Sequence, residues 1–223
     1  VGTGNVPMIG YEYERMTPVS GRRGRMDMVY LDKGAPNALK AGNDGAEIIE
    51  VYSPPRRDYL ELAGVSGHSS QTTGPPRNEP SLEPGRVHNY YDIQFTNITP
   101  GGFSRLVNGR RVHLSFLRMD PGASFSNSSH PEEQLMVVLR GDREETVSGK
   151  RFSLTAGDAV YIPSGAVHGA VTGPKGCDVL DVFTPVRDGF MAGMEETLAA
   201  YHAIIPRDAE IEIVADGGME GPG

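Results

Sequence analysis

An all-β architecture is predicted for this chain from three observations. Gly and Pro are abundant, at 29 and 17 of 223 residues, while aromatic side chains are few and Trp is absent. That composition suits many short strands joined by turns. The second half breaks into short apolar or alternating runs that end at Gly or Pro, the pattern of a sandwich or small barrel. A segment of the first half also recurs in the second, which points to two related halves.

In chain order the predicted strands are YYDIQF (90–95), RVHLSFLRM (111–119), LMVVLRG (135–141), REETVSG (143–149), KRFSLTAG (150–157), AVYIPSG (159–165), AVHGAVTG (166–173) and DVLDVFTP (178–185). The strongest helix, GMEETLAAYHAI over 193–204, is short and stops at IPRD. AEIEIVAD over 209–216 alternates apolar and polar residues and predicts a last strand. Residues 64–85 are rich in Ser, Gly and Pro with almost no apolar side chains, so an exposed linker is expected there. The expected organisation is a partial repeat over 1–63, a linker over 64–85, a barrel over 86–205 and a C-terminal strand and tail over 206–223.

The repeat aligns 30–54 with 161–185 at an offset of 131 and without gaps. Seven of the 25 pairs are identical: Tyr30/Tyr161, Gly34/Gly165, Ala35/Ala166, Gly42/Gly173, Gly45/Gly176, Val51/Val182 and Pro54/Pro185. Chance gives roughly one or two at ordinary residue usage. EIIEVYS stands against DVLDVFT, and Glu50, Tyr52 and Arg56 fall opposite Asp181, Phe183 and Arg187. At this offset Val1 lies opposite Glu132, so the first copy lacks its opening strands in this chain.

The formal net charge of −8 comes with no basic stripe, so nucleic acid and anionic membrane surfaces are not expected partners. No apolar run approaches the roughly 20 residues of a membrane span. The lone Cys177 excludes an intramolecular disulfide. A cytoplasmic homodimer is expected.

Two motifs carry the chemistry. PGASFSNSSHPEEQLMVVLRG supplies Gly122, His130, Gln134 and Gly141, and GDAVYIPSGAVH supplies Gly157, Pro163, Gly165 and His168. Together they resemble the two cupin motifs, G with H-x-H, E and G, then G, P-x-G and H. Gln134 takes the Glu place, and Ser128 stands where the first His belongs. The resemblance implies two cupin barrels or halves, a double-stranded β-helix or jelly roll, with the first half incomplete. Within cupins, SHPEEQ and DVFTPVRDGF are similar to the cupin that linearises unsaturated uronates in pectin and alginate breakdown. That enzyme carries an Asp, Phe, Arg set spaced like Asp181, Phe183 and Arg187.

On a regular strand, positions 128, 130, 132 and 134 share one face. His130 and Gln134 would then look into the barrel and meet His168. Two imidazoles and an amide oxygen make three protein ligands, enough for a divalent Zn, Fe, Mn or Ni with open positions. Ser128 is a poor replacement ligand, and His113 on the preceding strand is a second candidate. Since Gln134 carries no charge, the ion would keep its full double charge and attract a small organic or sugar acid. Arg187 would clamp the carboxylate, Asp181 would move a proton, and Phe183 completes the trio. No His of the first copy falls at a ligand place, and Asn37 replaces His168. The expected function is isomerisation or ring-opening tautomerisation of a small acidic sugar-like molecule. A non-catalytic binding or sensing cupin is the alternative, and a metal-dependent dioxygenase the third reading.

Overall fold

A computed structural model describes residues 27–35, 37, 48–64 and 79–190. The helix expected over 193–204, the strand over 209–216 and most of the linker and of the first repeat lie outside the described residues.

Eight strands form one sheet in the order β3 (Phe95–Thr99), β4 (Gly102–Asn108), β5 (His113–Met119), β10 (His168–Thr184), β7 (Glu133–Val147) and β8 (Lys150–Thr155), with β6 (Ser124–Ser128) on β10 and β9 (Ala159–Ile162) on β7. All pairings are antiparallel. The strand pair β3–β4 escaped the sequence reading, because TNITPGGFSRLVN lacks a clean alternation. YYDIQF, expected as a strand, opens instead with a 3-10 turn over Tyr90–Asp92, its amide at Tyr91 accepted by the Asn89 side chain. That local side-chain bond competes with a strand ladder.

Two strands do more than expected. LMVVLRG and REETVSG are one fifteen-residue strand, and AVHGAVTG and DVLDVFTP one of seventeen. Each bends where the other bends. Burial along β7 falls on Gln134, Met136 and Val138, then switches phase to Arg143, Glu145 and Val147. The extra residue sits at a bulge beside Gly141, whose φ of 77° no L side chain adopts easily. A Cβ at Gly141 would stand 2.0 Å from the Gly176 carbonyl oxygen, and one at Gly176 2.5 Å from the Met119 carbonyl oxygen. Backbone touches backbone here, so both positions require glycine.

β5 and β10 are buried on both faces. One face carries Leu117, Met119, Met136, Val138, Leu154, Cys177 and Val179, the barrel interior. The other carries Leu114, Phe116 and Leu180, covered by Met28, Tyr30 and Leu82. Each such buried side chain contributes roughly 1.5–3 kcal/mol. The N-terminal segment is thus part of the barrel's core. Its strand β1 (Asp27–Val29) pairs with β2 (Val87–Asn89) of the second half. Residues 79–85, read as linker, dock on the barrel: Leu82 is buried, Ser81 donates its amide to the Asn108 carbonyl, and the Asn108 amide side chain donates to Glu79. A single leucine among polar residues gave no periodic signal. Among the described residues there is one barrel, and the first half adds β1 and the short helix α1 (Arg57–Leu62) rather than a second barrel.

The repeat is nevertheless visible at one place. Arg56 lies over Tyr52 and Tyr59 at 5.5 and 3.9 Å, and Arg187 lies over Phe183 and Phe190 at 5.1 and 4.0 Å. The two ring pairs cross edge-on at 5.5 and 5.6 Å, at 85° and 86°. Both arginine segments follow a cis proline peptide, at Pro54 and Pro185.

Candidate metal centre

His130 precedes β7, Gln134 is its second residue, and His168 opens β10. The loops before the two strands are tied together. Gly165 donates its amide to the His130 carbonyl at 2.8 Å, and the Ser164 hydroxyl donates to the Pro131 carbonyl at 2.6 Å. Two imidazoles separated by 38 positions therefore meet, ring centroids 4.9 Å apart and nearly perpendicular. His130 lies outside the strand, yet the alternation survives: His130, Glu132 and Gln134 are buried while Pro131, Glu133 and Leu135 are not. Ser128 breaks the expected series. It ends β6, is exposed, and pairs in register with His168.

Two imidazoles and one amide converge here. His168 turns Nδ1 to the Ala166 carbonyl at 2.9 Å, which fixes Nδ1 as the protonated nitrogen and leaves a lone pair on Nε2. His130 Nδ1 lies 3.3 Å from a Glu132 carboxylate oxygen without a hydrogen bond between them, and Nε2 faces Gln134. Burial, then the Arg187 charge, lowers the His130 pKa, so this ring is neutral near pH 7. His130 Nε2 donates a hydrogen bond to Gln134 Oε1 at 3.1 Å, since the Gln134 amide nitrogen is taken by Asp181. A cation in place of that proton would face both atoms, and donors on bonds near 2.1 Å lie about 3–3.5 Å apart, so the spacing would allow it. Gln134 cannot rotate freely, because its Nε2 donates to Asp181 Oδ1 at 2.6 Å. That bond also fixes which amide atom faces His130. Among the described residues no three His, Cys, Asp or Glu side chains are placed to hold an ion. The centre is complete only if the Gln134 oxygen takes part.

Asp181, Phe183 and Arg187 are brought to the same end of the barrel. Phe183 is buried and packs its ring 5.4 Å from His130. Asp181 is fully enclosed, and burial raises its pKa against the pull of Arg143, the Gln134 hydrogen bond and Arg187. Arg187 is partly buried, which lowers its pKa against the charges of Glu132 and Asp181. Its guanidinium stacks on two rings and forms no hydrogen bond to another described residue. Its counterpart Arg56 differs, being tied through two nitrogens to Asp58. Gly189 takes the place of that Asp in the second copy.

His113 is not brought to the cation set. In the sheet, Phe183 pairs with His113 on one side and with Gln134 on the other, so the phenyl ring's strand stands between them. Three charged residues escaped the sequence reading. Glu132 is buried beside His130, 3.3 Å from its Nδ1. Arg143 and Glu145 form a buried ion pair at 2.5 Å behind Asp181. Burial lifts the Glu145 carboxyl to about 7, opposed by Arg143 and reinforced by Asp181. Two carboxyls facing one buried guanidinium favour one shared proton. RGDREETV gave no signal for this pair, since the bulge at Gly141 switches the inward phase.

Residues 115–183 match the family model described as a cupin domain. This segment is a cupin domain. The cupin segment is similar to the dimethylsulfoniopropionate lyase DddW of Ruegeria pomeroyi, 33% identical over 76 residues, which are 32% of this chain and 50% of the lyase. The chain thus spans about half the length of that curated relative. Among solved structures, an RmlC-like cupin from Shewanella frigidimarina is 27% identical with a TM-score of 0.43, covering 45% of this chain and 91% of the other. KdgF from a Halomonas species is 26% identical with a TM-score of 0.43, covering 45% and 94%. No described helix is long and apolar enough to cross a membrane.

Proposed function

We propose that the cupin barrel is a divalent-metal site that acts on a small sugar-like carboxylic acid by isomerisation or ring-opening tautomerisation. The observation that carries this reading is the convergence of His130 Nε2, Gln134 Oε1 and the His168 ring, with Gln134 held from behind by Asp181 and His168 by the Ala166 carbonyl. A metal ion held by these three residues would supply Lewis acidity to a carbonyl or hydroxyl oxygen.

The remaining steps belong to the chain. Arg187, stacked on Phe183 and Phe190 and without a hydrogen bond to another described residue, offers its guanidinium to the ligand carboxylate. Phe183 closes the wall beside His130 and keeps water from the reacting carbon. Asp181 holds a proton more readily than an exposed carboxyl because it is buried, and exchanges it with the ligand. The Arg143–Glu145 pair compensates charge behind it.

The test uses Asp181→Asn. The amide still accepts the Gln134 hydrogen bond but cannot change protonation. With an unsaturated uronate as substrate, turnover should fall roughly 100-fold or more while bound metal stays at the wild-type level. Equal turnover in wild type and D181N would overturn the proton-transfer role. The binding-only alternative draws support from Ser128 in the usual His place and from the Arg56 sandwich, which exists where no metal ligands do. It predicts ligand binding to the wild type without product.

A further inference from the structure

His113 is the least satisfied side chain of the barrel. It is fully enclosed, and neither ring nitrogen has a hydrogen-bond partner among the described residues. Burial, then the Arg187 charge, pushes its pKa down to about 4, so the ring is neutral and carries one donor and one acceptor. A buried polar atom without a partner destabilises a fold by about 1–3 kcal/mol. Phenylalanine would fill this place without that cost. Nothing in the packing calls for an imidazole, since the faces it meets are the Phe183 ring at 6.3 Å and the Phe190 ring at 5.8 Å.

Those two rings also carry Arg187, at 5.1 and 4.0 Å. Imidazole and guanidinium therefore pack against the same two rings, and a small molecule would have to displace the partly exposed Phe190 to touch both. We propose that His113 is a specificity-determining residue, whose imidazole hydrogen-bonds a hydroxyl of the acid that Arg187 holds by its carboxylate. This rests on the reading of Arg187 as the carboxylate clamp. It adds that the ligand is a polyhydroxylated acid rather than a plain one: an unmatched donor and acceptor reject a ligand that leaves them unpaired. The metal set lies on the far side of Phe183, so the hydroxyl at His113 is remote from the reacting atoms.

The experiment is calorimetric titration of the metal-loaded full chain with gluconate and with hexanoate, a carboxylate of the same length without hydroxyls. Wild type should bind gluconate more tightly. His113→Phe should bind gluconate roughly tenfold more weakly, with hexanoate unchanged. Arg187→Gln should weaken both. Wild-type gluconate affinity in H113F, beside a weakened R187Q, overturns the role of His113 alone. Binding of neither acid by the wild type overturns the Arg187 clamp and this inference with it. Should H113F fail to fold, the nitrogen-15 shifts of the His113 ring in the wild type decide instead: they move with gluconate but not hexanoate, or the inference fails.

Discussion

At the scale of single residues, the chain keeps polar groups where apolar ones would be more stable. His113 shows this through pH. Its pKa in the fold lies near 4, below the 6.5 of an exposed histidine, so the unfolded chain takes up a proton that the folded one refuses. Its contribution is intact above pH 6.5 and is lost as pH falls toward 4. His113→Phe should therefore gain on wild type as pH drops through that window, by an amount on the order of 1.4 kcal/mol per pH unit, read from urea midpoints at pH 7 and pH 5. Glu145 runs the other way. Its carboxyl is lifted to about 7, so the folded chain holds a proton the unfolded one has released, and stability falls as pH rises from about 4.5 to 7. A pair of curves in which H113F tracks the wild type at every pH would refute the buried neutral imidazole. His130, Gln134 and His168 were legible in the sequence because motif spacing fixes them. Glu132 lay in plain view inside the same motif, but its place beside Nδ1 of His130 depends on how the loop turns that ring. His113 reads from the sequence only as a second candidate ligand, and the Arg143–Glu145 pair was not legible as interior at all, since a lone Arg or Glu on a strand is more often solvated.

At the scale of elements, the two long strands and their shared bend build the barrel end where the site sits. A one-residue bulge flips every side chain beyond it, and that flip turns Arg143 and Glu145 inward. Gly141→Ala should therefore be severely destabilising, costing at least ~2 kcal/mol from backbone strain with a carbonyl clash added. Gly149 has a similar φ of 78° but open space around its Cβ direction. Gly149→Ala should cost only about 1–2 kcal/mol. Equal losses in the two variants, measured by urea denaturation, would show that the close approach of Gly176 does not matter. Short strands with Gly or Pro stops were readable, and β5, β8 and β9 agree closely with the runs that predicted them. Bulges were not, because they depend on the pairing partner. The eclipse of β3 and β4 has the same cause: their alternation emerges only against β5, where Ser104 meets Ser115 by a buried 2.7 Å hydrogen bond.

At the scale of the whole molecule, Met28, Tyr30 and Leu82 join the first part of the chain to the barrel as a cover for one sheet face. Met28, fully buried against Leu114, Phe116 and Leu180, is the side chain to remove. Met28→Ala should cost about 2–5 kcal/mol, and it should lower the melting of the entire domain in one transition. An unchanged midpoint would mean that the cover docks without stabilising. Sequence repetition exposed the kinship of Arg56 and Arg187, though a repeat says nothing of how much of each copy folds as a barrel. The central claim is also one of whole-molecule geometry: a histidine just before β7, a histidine opening β10 and one glutamine amide close on one ion. Equilibrium binding of Zn²⁺ to the purified chain, compared with His168→Ala and Gln134→Leu, tests it most directly. One equivalent in the wild type, with at least about a tenfold loss of affinity in each variant, is the expected result. Wild-type stoichiometry and affinity retained in His168→Ala would contradict it.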